Sequence, residues 1–307
     1  MKREPDFTID ELKAVLERGL GFGIGSLQRL GGSSAFNFKA VRSSDGFRFL
    51  VKCSPFSQQR HFDQLVDHLN ALRGTIVAQR IFENECPATF GGCNLLCLEW
   101  CPGESVFPDR LTDKQFLSFL DDYLAFSEAM QIVRCVDDQA PVRKWRDEVR
   151  VKCRGLGGAI LSKCLDDIVN PDLASASLRM KVIHGDFHHG NFHFVDGRLN
   201  GIFDIEGMKR GYPTDDIVRY VTCAVEHLRW YELHRVRRMM RLFGLAVGHL
   251  PYAQDEWLAA IEGRFLRKAY MQTNRLSRVG LGTALNLAFR SRLYRKMKSI
   301  ARERCNV

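Results

Sequence analysis

The sequence predicts an α+β chain in two parts: a small antiparallel β-sheet with one main helix, then a larger and mostly helical part. Three observations predict it. Five short segments between Ser26 and Trp100 carry strand-type patterning and are separated by turn residues. From Leu111 onward apolar residues recur at helical spacing. The helical part is interrupted by a hairpin-rich stretch, VIHGDFHHGNFHFVDGRLNGIFDIE, from Val182 to Glu206. Pro102 and Gly103 mark the boundary, giving parts of 1–101 and 102–307.

Thr8-Ile9-Asp10-Glu11 is a capping box, in which hydroxyl and carboxylate satisfy each other's backbone donors, and Ile9, Leu12, Val15 and Leu16 form the stripe behind it. Gly21, Gly23 and Gly25 end that helix, and a strand follows near Ser26 to Leu30. Gly31, Gly32, Ser33 and Ser34 then turn the chain into alternating Phe36, Phe38 and Ala40. Such a flap can cover phosphates, because glycine permits close approach and serine adds hydroxyl donors; an ordinary hairpin reads the same residues equally well. It is neither a Walker A sequence nor a Rossmann fingerprint. Phe47 to Cys53 is an apolar strand holding Lys52, a costly place for a cation without a partner, unless it faces solvent at an edge. Gln58 to Leu72 reads as a helix with Phe62, Leu65, Val66, Leu69 and Leu72 on one face and with Asp63 and Asp67 one turn apart. Ile76 to Phe82 and Leu95 to Trp100 complete the sheet. Beyond it, Thr112 caps a helix carrying Phe116, Phe119, Leu120, Tyr123 and Leu124. Val142 to Ile168 and Pro171 to Met180 also read as helical, as does a segment opening at Asp216 and running from Ile217 to Trp230.

Composition sets the class. The 307 residues are 45% hydrophobic and 26% charged, as in ordinary soluble proteins. The start, MKREPDFTIDELK, has no apolar core of a secretory signal, and no run is long enough to span a bilayer, so a cytoplasmic protein is expected. Its ten cysteines are then expected mostly as free thiols. Cys93, Cys97 and Cys101 recur every fourth residue, but on a strand and without a second pair, which reads as core rather than zinc. The net charge of +9 fits a negatively charged partner: nucleotide, anionic lipid or nucleic acid.

The interrupting stretch carries the chemistry. Val182 and Ile183 enter a tight loop holding His184, Gly185 and Asp186, with Asn191 five residues further on. Asp196-Gly197 is a hairpin turn between Phe192–Val195 and Leu199–Phe203, and Asp204-Ile205-Glu206 closes it. Phosphoryl transfer from ATP requires a carboxylate near the attacking hydroxyl and oxygen ligands for Mg²⁺. Asp186 suits the first role, and Asn191 and Asp204 suit the second, with Glu206 helping through water. A lone His-Gly-Asp would be an ordinary turn; two fixed spacings in strand context are not. The neighbouring histidines 184, 188, 189 and 193 match no usual zinc spacing.

The pattern H-G-D-x4-N followed by D-x-E resembles the aminoglycoside phosphotransferase and choline kinase family. The resemblance implies a two-lobed protein-kinase-like fold with ATP and Mg²⁺ as cofactors. It makes Asp186 the catalytic base and Asn191 and Asp204 the metal ligands, and sets Lys52 and the flap Gly31, Gly32, Ser33 and Ser34 on the phosphates. An acidic residue of the first long helix should pair with Lys52; Asp67 suits the family's spacing better than Asp63. The segment Glu99 to Glu104 resembles the family's hinge, which implies adenine contacts from the backbones of Glu99 and Cys101. The matching His184 and Asp216 brace the loop.

The link from Asp204 to Asp216 is too short for a protein kinase's activation segment, which favours a small-molecule or glycan hydroxyl as acceptor. Sugars, envelope glycans, amino alcohols and antibiotics all fit this catalytic set. No nucleic-acid partner is expected. The basic C-terminal cluster from Arg290 to Arg304, with Leu285, Leu287, Phe289, Leu293 and Tyr294, reads either as an amphipathic helix for an anionic membrane surface or as a solvated face. The competing readings are a catalytically inactive kinase-fold protein that binds partners through those helices, and a protein kinase.

Overall fold

The computed structural model of the chain describes residues 6–30, 35–75, 80–82, 88–133, 135, 142–169, 180–226, 233–274 and 279–305. They fall into two compact units, Met1–Ser105 with Asn191–Gly207, and Val106–Gly190 with Met208–Val307.

In the first unit, α1 (Ile9–Leu20) begins at the capping box, with Thr8 Oγ1 accepting from Glu11 N–H and Glu11 accepting from Thr8 N–H. It buries Leu12, Leu16 and Leu20 and stops at Gly21, whose φ of 69° is the left-handed conformation glycine adopts freely. Five antiparallel strands follow: β1 (Ile24–Arg29), β2 (Phe36–Arg42), β3 (Arg48–Pro55), β4 (Thr89–Phe90) and β5 (Cys93–Glu99), in the spatial order β1-β2-β3-β5-β4. Strand alternation sends Phe38, Ala40, Phe49, Val51, Cys53, Leu95 and Cys97 into one core with the α1 stripe. The strand expected at Ile76 to Phe82 is described only over its last residues, where Phe82 N–H donates to Cys97 O and Glu99 N–H to Arg80 O. Residues 76–79 lie outside the described ones, as do Gly31 to Ser34; Ile81 forms a single bridge to Leu98, and Thr89–Phe90 supplies the fifth strand. Helix α2 (Gln59–Ala71) turns Leu65, His68 and Leu69 inward.

The first unit also contains the hairpin β7 (Phe192–Val195) and β8 (Arg198–Ile202). Its turn has Asp196 at φ 50° and Gly197 at φ 76°, the paired positive dihedrals that suit a two-residue hairpin. The hairpin is bonded to the segment after β5: Glu104 N–H donates to Phe194 O at 3.1 Å and Phe194 N–H to Glu104 O at 2.9 Å. Approach here is so close that a Cβ on Gly103, at φ 118°, would lie 2.5 Å from Phe194 O. This bonding carries the hairpin across the division expected at 101/102.

The second unit is helical: α3 (Asp113–Ala129), α4 (Val142–Val151), α5 (Gly155–Ile168), α6 (Pro213–Glu226), α7 (Leu233–His249), α8 (Gln254–Thr273) and α9 (Leu281–Arg304), with β6 (Lys181–Ile183) paired antiparallel to β9 (Lys209–Gly211). The helix expected over 142–168 is split, with Gly155 at φ 70° between its halves. The helix expected at Pro171 to Met180 falls almost wholly outside the described residues. Helix α6 starts at Pro213, so Asp215 and Asp216 sit in its first turn, where acidic side chains complement the dipole.

Helix α9 gives the membrane expectation no support. Its apolar residues Leu287, Tyr294 and Met297 are buried, and it packs on α5, α7 and α8. Most of the apolar side chains that a helix resting on lipid would insert are used by the core, while Leu281 and Leu285 are exposed. No described helix is long and apolar enough to cross a membrane.

Candidate active site

The hairpin end and strand β3 build a charged cluster within the first unit. Lys52 is only 6% exposed, and its ammonium is held by Glu206 Oε1 at 2.6 Å with Asp204 Oδ1 at 3.6 Å. The cost of burying the lysine is thus met by carboxylates from the hairpin. The expected pair with Asp67 is not formed. Asp67 and Asp63 are exposed on α2, and Asp63 accepts from Gln59 instead. The inward position on that helix belongs to His68, whose Nδ1 meets Ile205 O at 2.8 Å. A residue next to His68 is rotated about 100° around the helix and cannot share its direction.

Hairpin pairing sets Asn191 beside Asp204. Phe192 is opposite Ile202, and Phe203 N–H donates to Asn191 O at 2.9 Å, so the two ligand candidates come from adjacent ends of the ladder. Asp204 stands at φ 54°, a strained conformation for a non-glycine residue, with a side chain 54% exposed. Strain of this kind costs on the order of 1–3 kcal/mol and collects at functional positions. Glu206 Oε2 is buried and has no hydrogen-bond partner among the described residues. An exposed carboxylate, an amide and an orphaned carboxylate oxygen suit a hard cation with waters in its shell. Sequence reasoning gave Glu206 only a role through water; its pairing with Lys52 has no local signature, since 154 residues separate the partners.

Cys101 O accepts from His193 Nδ1 at 2.9 Å, and Glu99 N–H donates to Arg80 O at 2.9 Å. The Cys101 thiol, beside Asn200, is pushed up to about 11 by burial, against the Asn200 amide. Cys93 and Cys97 are buried, every described cysteine is a free thiol, and no described cluster of three or more His, Cys, Asp or Glu is arranged for a metal.

The second unit carries Asp186. Its loop is anchored by Phe187, wholly buried between the rings of Phe119, Tyr123 and Tyr220. Asp216 braces the same loop: Oδ2 accepts from His184 N–H at 2.8 Å and Oδ1 from Gly185 N–H at 2.9 Å. Burial pushes the Asp216 carboxyl up to about 7, against the pull of those two N–H groups. His184, fully buried, accepts from Asp186 N–H through Nδ1 at 3.3 Å. Asp186 itself is half-buried, with Arg219 on Oδ1 and His188 Nε2 3.5 Å from Oδ2. Burial raises its pKa, but the His188 hydrogen bond and the charges of Arg219, His188 and His184 outweigh that and hold it below the ordinary carboxylate range. Arg219 was not anticipated.

Comparison with known proteins identifies the family and the fold. A model described as the phosphotransferase enzyme family matches residues 26–232. Among solved structures, spectinomycin phosphotransferase APH(9)-Ia, in complex with ADP and spectinomycin, superposes with a TM-score of 0.60 at 14% identity, covering 94% of this chain and 99% of that one. A candidate aminoglycoside phosphotransferase from Ralstonia eutropha JMP134 gives 0.58 at 15%, covering 97% and 99%. The macrolide 2'-phosphotransferase of Brachybacterium faecium gives 0.56 at 12%, covering 91% and 97%. At these identities the likeness establishes the protein-kinase-like fold. No curated protein matches the chain.

Proposed function

The chain belongs to the phosphotransferase enzyme family, and from that premise we propose that it moves the γ-phosphoryl group of ATP to a hydroxyl of a small molecule or glycan. The observation that carries the reading is the cluster at the hairpin end: buried Lys52 held by Glu206 and Asp204, with Asn191 alongside. Lys52 supplies a fixed positive charge to the ATP phosphates, and Glu206 and Asp204 keep it extended. The flap from Gly31 to Ser34, outside the described residues, is assigned to the same phosphates by its place in the sequence. The hinge backbone at Glu99 and Cys101 receives adenine; because His193 occupies the Cys101 carbonyl, Cys101 contributes its N–H. Asn191 and Asp204 would hold Mg²⁺, which would supply charge neutralisation on the transferring phosphoryl group. Asp186 accepts the hydrogen bond of the acceptor hydroxyl and aims its oxygen. Rate enhancement then comes from positioning and charge neutralisation.

Small acceptors fit the chain's connectivity. After Asp204, only residues 205–212 precede α6, and they include β9. The spectinomycin and macrolide enzymes it resembles are also named for small substrates. Free thiols at the described cysteines and the use of ATP support a cytoplasmic reaction.

The test is an acceptor screen that follows ADP release across sugars, amino alcohols and aminoglycosides, together with thermal shift by ATP with and without Mg²⁺. The native protein is expected to be stabilised by ATP in a Mg²⁺-dependent way and to release ADP with its acceptor. Asp186→Ala is expected to keep the stabilisation and lose the turnover. Undiminished ADP release by that variant would remove Asp186 from the chemistry, and indifference to ATP would remove the reading.

A further inference from the structure

We propose that Arg219 is a positioning residue for Asp186: it fixes the carboxylate through Oδ1 and keeps it ionised, so that Asp186 orients the acceptor hydroxyl rather than serving as a strong base. The proposal rests on the phosphotransferase reading for what Asp186 does, and on geometry within the second unit for what Arg219 does.

Arg219 and Asp216 are three residues apart on α6, so they share a face of that helix. Asp216 takes the backbone N–H groups of His184 and Gly185, and Arg219 takes the side chain two residues further along the same loop. One helix face therefore sets both the path of the loop and the direction of its carboxylate. The Arg219 side chain is largely buried, 16% exposed, against 40% for Asp186. The pair is thus shielded on the arginine side and open on the carboxylate side. Among the described residues, the charged and titratable groups facing Asp186 include His184 and His188 from its own loop and Arg219 from α6. Lys209 of β9 lies within electrostatic reach of Arg219, together with the carboxyls of Asp215 and Asp216. A carboxylate paired with a buried guanidinium is a weak proton acceptor and a well-directed hydrogen-bond acceptor.

The measurement is a carboxyl ¹³C NMR titration of Asp186, assigned by its loss in Asp186→Asn. In the native protein the signal is expected to titrate below the ordinary range. In Arg219→Gln it should move up by about 1–3 pH units, the effect of removing one adjacent opposite charge. Arg219→Lys should recover part of the shift, and the acid limb of the turnover profile should follow the titration in each variant. A residue that only packs α6 would alter melting without moving the titration. An unmoved Asp186 signal in Arg219→Gln, or no recovery in a well-folded Arg219→Lys, overturns the proposal. Should Arg219→Gln not fold, the pair is read from its other side. Guanidinium N–H signals of Arg219, slow to exchange in the native protein, should lose that protection in Asp186→Asn; retained protection overturns the proposal as well. Neither NMR measurement uses nucleotide. Loss of the pair would therefore leave phosphoryl transfer standing, and an inert enzyme would leave the pair standing.

Discussion

Two buried lysines, one in each unit, solve the same problem and end in different states. Lys52 on β3 and Lys298 on α9 are each 6% exposed, and each meets a glutamate oxygen at 2.6 Å, from Glu206 and Glu262 respectively. Lys298 also donates to Ile168 O at 2.7 Å, and its glutamate is only 6% exposed, so the group is closed off in the helical core. The Lys52 group stays open: Asp204 is exposed and strained, and Glu206 leaves one oxygen without a described hydrogen-bond partner. A closed pair holds a fold together. An open one of the same chemistry has valences left for a ligand.

The largest expected effect is on the closed pair. Glu262→Ala strands an ammonium inside the second unit and should cost about 3–5 kcal/mol in chemical denaturation. The double variant Glu262→Leu with Lys298→Met should recover most of that, because a well-packed apolar pair replaces the ionic one at little net cost. If the single variant unfolds no more easily than the native protein, the two lysines do not differ in the way drawn here.

The open pair should respond in the opposite sense. Lys52→Met removes the charge set on the phosphates and should lower turnover about 10²- to 10³-fold, the scale seen when one preorganised electrostatic donor is lost. Its thermal stability should fall less than that of Glu262→Ala, because Glu206 and Asp204 reach water or protons once the lysine is gone. Near-native turnover in a folded Lys52→Met would make the pair structural after all.

How much of this was legible follows from how local each signal is. The capping box at Thr8, the Asp196-Gly197 turn, the strand around Lys52 and the H-G-D-x4-N spacing are written in a few consecutive residues, and the structure has the elements they predict. That Lys52 needs a carboxylate was also legible, because burial of a cation demands one. Which carboxylate was not. Asp67 was selected by spacing along the chain, whereas the choice depends on which face α2 turns inward, and there His68 takes Ile205 O. The Arg219–Asp186 contact is illegible for the same reason: it requires knowing that α6 lies against the loop. The basic C-terminal helix looked amphipathic because it is; sequence alone does not say whether its apolar face meets lipid or the helices α5, α7 and α8.

The smallest effect isolates burial from pairing. One turn before Lys298 on α9, Arg295 Nη1 lies 3.1 Å from Asp167 of α5, with side chains 47% and 33% exposed. Glu262 and Asp167 thus face the same helix, and their cationic partners are three residues apart. Water solvates each exposed partner when the other is removed, and salt screens what attraction remains. Asp167→Ala should therefore cost about 0–1 kcal/mol, falling further at high ionic strength, in the same denaturation experiment that reads Glu262→Ala. A cost for Asp167→Ala as large as that for Glu262→Ala would mean that the packing of α5 on α9, rather than desolvation of the charge, sets the penalty for both.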